Sequence, residues 1–237
     1  MNIKVVGTGD MWTKHNSASY VIDEKILVDI PNGSCKNLLN LEISPEKINN
    51  VLITHFHGDH YFDIPFLFLL KSQKNSINLN IYCDRKGKNK INKLFKLAFP
   101  NTVKKVNDKL NINYNFADEF IIEKYKINKI LVDHGNMKPA YGYIVENNNI
   151  NVGFTGDTNL NDNVEYMASI CKYLFCDCAL IEGSNKHMGI DNIKYLANKY
   201  KNCTFVVSHM NDNTRNELKR LKTKNIIVPY DGEMFSV

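Results

Sequence analysis

No apolar run in this chain is long enough to cross a bilayer. The longest, Ile64 to Leu70, falls far short of the ~20 residues a spanning helix needs, and Asp63 and Pro65 interrupt its start. A secretory leader is not expected, because Met1-Asn2-Ile3-Lys4 leads straight into a strand-like run. The six cysteines, Cys35, Cys83, Cys171, Cys176, Cys178 and Cys203, never form a C-x-x-C pair. A chain of 237 residues buries enough core to need no disulfide staples. Cys176 and Cys178 alternate in a strand-like run and read as buried thiols. Basic residues are not gathered into an arm: 30 Lys and Arg stand against 25 Asp and Glu, a formal charge of +5. That balance describes a solvated, Lys-rich surface compatible with an anionic substrate. No repeat, low-complexity linker or composition shift divides the chain, so residues 1–237 read as one domain. The expectation is a reducing, cytoplasmic protein with no membrane partner.

Histidine is also scarce, seven in all, yet three fall between positions 55 and 60 in "VLITHFHGDHYFDIPFLFLL". The surrounding pattern explains where they sit. "IKVVG" and "SYVIDEKILVDI" read as strands, the latter a hairpin turning at Asp23-Glu24-Lys25. Ser34 to Leu41 fits a short helix capped by Ser34. Asn50 to Thr54 is a buried strand, Tyr61 to Lys71 a helix, 78–83 a strand, and Lys86 to Ala98 a helix stopped by Pro100. A β-rich middle follows, with runs at Phe120–Tyr125, Lys129–Val132, Ala140–Val145 and Asn151–Phe154. Helices at Asn163–Tyr173, Asp191–Tyr200 and Asn213–Leu221 then alternate with strands at Cys178–Ile181, Thr204–Val207 and Asn225–Val228. Such an order suggests an α/β fold of two sheets packed face to face, with helices outside.

His55-Phe56-His57-Gly58-Asp59-His60 therefore lies where a strand turns through Gly58 into a helix. Alternate histidines after a strand can converge on one point, while Asp59 and His60 continue round the turn toward a second. Imidazole and carboxylate donors without thiolate suit zinc, with manganese or iron as alternatives. The cluster cannot complete two four-coordinate sites alone. Further donors appear just past later β-runs: His134 after "KILVD", Asp157 after "NVGFTG" and His209 after "CTFVVS". Each singly would be an ordinary turn residue; together they form a pattern. His15, in "TKHNSASY", has no such support and reads as structural or surface.

The segments "THFHGDH", "DHGNMKPAYGYIV", "FTGDT" and "VVSHM", with "VVGTGDMW" at the start and Asp231-Gly232 near the end, resemble the metallo-β-lactamase superfamily and its ribonuclease Z-like branch. The resemblance covers nearly the whole chain. It implies an αββα sandwich, a homodimer and a dinuclear centre at one edge. His55, His57 and His134 would hold one Zn2+, Asp59, His60 and His209 the other, with Asp157 bridging. Such an ion pair activates a bridging water toward hydroxide, which Asp59 can orient. The resemblance also assigns leaving-group assistance to a Glu and a His in matching loops, carried here to Glu182 and to His187 as general acid.

Fold resemblance does not settle the substrate. Asp157 stands where the commonest dinuclear β-lactamases have cysteine, and His57 where the diiron redox branch has glutamate. Both uses are disfavoured. "PAYGYIV" and the Glu182/His187 pair favour a phosphodiester. A ribonuclease Z that processes tRNA 3′ ends carries a basic, Gly-rich arm between the third and fourth motifs. Here His134 and Asp157 leave no room for one, and "DIPNGSCK" replaces the acidic opening segment. Losing that grip removes phosphate contacts expected for a large RNA. The expectation is a small nucleotidic phosphodiester, such as a cyclic mononucleotide, as in stand-alone nucleases that degrade cyclic nucleotide signals. An endoribonuclease acting on RNA, a lactonase or thioesterase, and a metal-binding interaction protein are the alternatives. Trp12, Phe56, Tyr141 and Tyr143 are candidate aromatic faces for a base. The apolar helix from Phe62 to Leu70 is either fully buried or a dimer seam.

Overall fold

The computed structural model describes residues 1–74, 78–221 and 223–237. Within them, two seven-stranded sheets face each other. In the first, β1 (Asn2–Gly7), β2 (Ser19–Ile22) and β3 (Ile26–Val28) run antiparallel. The chain then crosses through helix α1 (Ser34–Asn40) to β4 (Asn50–Leu52), which lies parallel to β3. Helices α2 (Gly58–Tyr61) and α3 (Ile64–Gln73) lead to β5 (Asn78–Tyr82), and α4 (Gly87–Ala98) and α5 (Val103–Asn107) lead to β6 (Asn111–Asn115). β4, β5 and β6 are parallel.

The second sheet repeats this plan. β7 (Glu119–Ile122), β8 (Tyr125–His134), β9 (Met137–Asn147) and β10 (Ile150–Phe154) form an antiparallel meander. Helices α6 (Asp162–Ile170), α7 (Ile190–Lys199) and α8 (Asp212–Arg220) then link the parallel strands β11 (Tyr173–Asp177), β12 (Thr204–Ser208) and β13 (Ile226–Ile227). β14 (Met234–Ser236) returns to the first sheet beside β1.

Strand alternation builds the layers. Ile3, Val5, Tyr20, Ile22, Ile26 and Val28 point into the space between the sheets, while Val6, Val21 and Leu27 point toward the first sheet's helices. On β11, Phe175 enters the inter-sheet core and Leu174 and Cys176 face the outer helices. Both faces are covered, which is why these strands read as nearly continuous apolar runs. Phe154 stacks on Phe175 at 5.0 Å in the middle layer. The result is the expected αββα sandwich. All six cysteines are buried and unpaired.

Several boundaries differ from expectation. The helix expected from Tyr61 to Lys71 is two helices, because Pro65 opens a new first turn where its missing N–H costs nothing. Its Phe62 and Phe66 are exposed while Ile64, Leu67 and Phe68 are core. Ser34 does not cap α1: left-handed Gly33 precedes the helix, and the carboxylate of Asp63 accepts the Cys35 N–H at 2.7 Å. The run Phe120–Tyr125 is broken by a turn at Glu123, whose φ is 51°. The strand expected at Cys178–Ile181 lies earlier, at β11, ending at Asp177. α5, β6 and β14 were not anticipated. β6 is Asn-rich and weak in β-formers, and side-chain bonds help to hold it, including Asn111 Nδ2 to Asn78 Oδ1 at 3.1 Å.

Candidate metal centre

The candidate donors gather at one edge of the sandwich, just past the ends of strands. His55 and His57 follow β4, and Asp59 and His60 sit on α2. His134 ends β8, Asp157 follows β10 and His209 follows β12. Gly156, with φ 62°, makes the turn that aims Asp157. A Cβ there would meet the Thr54 Cβ at 2.8 Å and the Tyr141 carbonyl at 3.0 Å. His209 itself has φ 57°, as does Asp29. Such left-handed residues cost of order 1 kcal/mol and persist where their surroundings hold them.

Two groups of donors share one oxygen. His57 Nδ1 lies 3.0 Å from His55 Nε2 and 3.2 Å from His134 Nε2. Asp157 Oδ2 is 3.8 Å from both His55 Nε2 and His134 Nε2. That same oxygen is 3.3 Å from His60 Nε2 and 3.3 Å from His209 Nε2. Asp59 Oδ2 completes the second group, 3.4 Å from His209 Nε2 and 3.8 Å from His60 Nε2. All of these residues are buried except the half-buried His57.

The outer ring nitrogens set which atoms face inward. His134 Nδ1 donates to the Lys186 carbonyl at 2.8 Å, so its Nε2 carries a lone pair when the ring is neutral. His60 Nδ1 donates to Asp29 Oδ2 at 2.8 Å, and its buried Nε2 has no hydrogen-bond partner. Thr54 gives its hydroxyl proton to Asp29 Oδ2 at 2.7 Å and accepts from His55 Nδ1 at 3.1 Å, again baring Nε2. Asp29 is thus an outer partner for two histidines, and Thr54 N–H fixes its other oxygen at 2.8 Å. Three bare nitrogens and two carboxylates converge with too few protons to share. Nitrogen donors at ~2.0–2.1 Å around one tetrahedral ion stand about 3.3 Å apart, close to the spacing here. The donor set fits divalent metal.

Burial and the neighbouring carboxylates pull these histidines in opposite directions. Burial disfavours a charged His60, but the Asp157 and Asp29 carboxylates hold its pKa well above the ordinary value. His209 is pushed up to about 9 against its burial, by Asp157, Asp59 and Asp177. Burial would raise Asp157, yet His209 and His60 keep it well below the usual carboxylate range.

His187 stands over this cluster, its ring stacked on His209 at 5.2 Å and edge-on to His134 at 4.7 Å. Its carboxylate partner is Asp177: Nδ1 donates to Oδ2 at 2.8 Å. Burial works against the imidazolium, but the Asp177 bond and charge outweigh it and raise the His187 pKa. Asp177 also accepts the Thr158 and Ala179 N–H groups at 3.0 and 3.1 Å, so it is rigidly aimed. Glu182 lies in the same loop as His187, without a bond to the cluster: its carboxylate is exposed and makes no hydrogen bond or ion pair among the described residues. His15 lies 3.8 Å from Asp231 and joins none of the donor groups. Asp177 and Asp29 were the residues missed. The signal that found Asp157, an acidic residue just past an apolar strand, was present in "YLFCD" and "KILVD" alike.

Residues 1–229 match the family described as Anti-Pycsar protein Apyc1. The ribonuclease Z of Methanococcus aeolicus is 29% identical over 157 residues, covering 62% of this chain and 47% of that protein. The ribonuclease Z of Pyrococcus abyssi is 33% identical over 127 residues, 51% and 38% respectively. The chain thus spans less than half the length of these curated relatives. Similar solved structures include the metallo-β-lactamase fold protein YhfI from Bacillus subtilis, with TM-score 0.80, 18% identity and coverage of 99% and 98%. Human short-form tRNase Z gives TM-score 0.77 at 17% identity, covering 100% and 99%. A diphosphatase from the PhnP family gives 0.78 at 19%, covering 100% and 97%. At such identities these structures show the fold. With that fold, those relatives and a family match over nearly its full length, the chain belongs to the Anti-Pycsar protein Apyc1 family, within the ribonuclease Z-like part of the metallo-β-lactamase superfamily of metal-dependent hydrolases.

Proposed function

We propose that the protein is a metal-dependent phosphodiesterase that hydrolyses a small nucleotidic phosphodiester, such as a cyclic mononucleotide. The observation that carries the choice is the turn between β9 and β10. Asn147 pairs directly with Ile150, and only Asn148 and Asn149 lie between, with φ of 51° and 62°. That is a two-residue hairpin of the tightest kind, and it closes the interval from His134 to Asp157 where a tRNA-gripping arm would emerge.

His55, His57, His134 and Asp157 would hold one divalent cation, and Asp59, His60, His209 and Asp157 a second. Zinc suits these donors, with manganese or iron as alternatives. When bound, such a pair lowers the pKa of a water toward neutrality and offsets charge on a substrate oxygen. The protein's own groups do the rest. Asp59 turns Oδ2 toward His209 and His60, which leaves Oδ1 to accept a hydrogen bond from the attacking water. As the water oxygen adds to phosphorus, the P–O bond opposite it breaks. His187, anchored through Nδ1 to Asp177, gives the departing oxygen a proton from Nε2. The products are a phosphomonoester and a hydroxyl, joined in one molecule when the substrate is cyclic. Glu182 has no part in this scheme.

The exposed Phe62 and Phe66 offer an apolar face for a homodimer, which the same reading includes. A light-scattering mass near 27.3 kDa would count against it.

The ribonuclease Z relatives favour a second reading, cleavage of structured RNA. Incubation with cCMP, cAMP, bis-p-nitrophenyl phosphate and precursor tRNA separates the two. Cleavage of a small diester is the expected result. Turnover of the precursor alone would establish the second reading, and activity only on lactones or acyl thioesters would remove both.

A further inference from the structure

Trp12 is the chain's single tryptophan, and at 87% exposed it is the most exposed large apolar side chain among the described residues. Its loop is nonetheless fastened. The Asp10 N–H donates to the Met210 carbonyl at 3.1 Å, and the Met210 N–H donates to the Thr8 carbonyl at 3.1 Å. The Gly9 N–H reaches the Asn16 carbonyl at 2.8 Å, closing the loop at its neck, and the Asn16 N–H donates to Asp231 Oδ2 at 2.8 Å. Within the loop, the Trp12 N–H donates to Asp10 Oδ1 at 2.8 Å. The backbone that supports Trp12 is therefore hydrogen-bonded to the residue following His209. A large exposed aromatic ring is thus carried on a loop tied to the strand end that bears His209.

The other aromatic candidates are buried or already engaged by a lysine. Tyr143 is fully buried, its hydroxyl donating to the Ile53 carbonyl at 2.8 Å. Phe56 is buried with the Lys90 ammonium 4.7 Å from its ring. Tyr141 carries the Lys129 ammonium 4.6 Å from its ring.

We propose that Trp12 is the stacking platform for the base of the nucleotide substrate, an inference that rests on the phosphodiesterase reading above. Base–aromatic stacking tolerates any base, since each has a π-face, so Trp12 sets affinity for nucleotides as a class. It takes no part in bond breaking.

The test compares a cyclic mononucleotide with the same ribose cyclic phosphate lacking its base. Trp12→Ala should raise KM for the nucleotide about tenfold with kcat nearly unchanged. Trp12→Phe should restore most of the loss. Neither substitution should alter KM for the base-free ester. In the unmodified protein, CMP should quench tryptophan emission excited at its red edge, whereas inorganic phosphate should not. An unchanged nucleotide KM overturns the proposal, as does an equal rise for both esters, which would mark Trp12 as a folding residue. Emission that shifts on dilution but ignores CMP would place a second copy over the ring and overturn it as well. If the unmodified protein hydrolyses neither ester, the phosphodiesterase reading fails and this inference falls with it. Hydrolysis with unchanged KM sinks the stacking role alone.

Discussion

Asp177 earns its place by what it holds still. One carboxylate aims the His187 imidazole and receives two backbone amides. Asp177→Asn should lower kcat about 10²-fold on diesters with an alkoxide leaving group. It should have little effect on bis-p-nitrophenyl phosphate, whose leaving group departs without a proton. An equal loss on both esters would mean that Asp177 supports the metal donors instead. Glu182→Gln should change neither rate. Asp29 acts from behind the donors, bonded to His60 and, through Thr54, to His55. Asp29→Ala should weaken metal retention about 10- to 100-fold, read by competition with a chromogenic chelator. Unaltered retention would show that ring orientation here comes from packing alone.

At the scale of elements, the turn through Gly156 and the cross-link made by Lys71 are the sensitive points. Gly156→Ala adds a Cβ against Thr54 and the Tyr141 carbonyl at a left-handed residue, and should cost about 1–3 kcal/mol in urea unfolding. Lys71 extends from α3 beneath the 3-10 turn at Pro45–Lys47. Its ammonium donates to the carbonyls of Glu46 and Ile48 at 2.9 and 2.8 Å and to Asn49 Oδ1 at 2.9 Å. Burial pushes its pKa down to about 8, against the raising influence of Glu46. The unfolded value is about 10.4, so between about pH 8 and 10 the unfolded chain binds more protons and stability from this residue rises with pH. The parent should therefore gain stability relative to Lys71→Met from pH 7.5 to 9.5; a constant difference would contradict the burial effect. Much of this layer was legible beforehand. Most helices and strands fell within a few residues of their expected positions, because apolar periodicity marks which segments are covered. Endings were harder. "YLFCDCALI" is apolar almost throughout, and only pairing with β10 and β12 decides that the strand stops at Asp177. Misplacing that end also misplaced the partner of His187. The cap on α1 was illegible for a related reason: its acceptor, Asp63, is 28 residues away in sequence from Cys35.

Across the whole molecule, metal removal should lower the melting temperature and zinc should restore it. A ligand at about 1,000 times its Kd adds about 4 kcal/mol to a native state that alone binds it. A melting curve indifferent to a strong chelator would mean that the donor cluster holds no ion. The candidate donors divide between the sheets: His55, His57, Asp59 and His60 follow β4, whereas His134, Asp157 and His209 follow β8, β10 and β12. An ion held jointly by these side chains would rivet the two halves of the sandwich at one rim only. Stripping it should let that rim breathe first, with deuterium entering the strand ends near β4 and β12 while the strand ends at the opposite rim exchange as before.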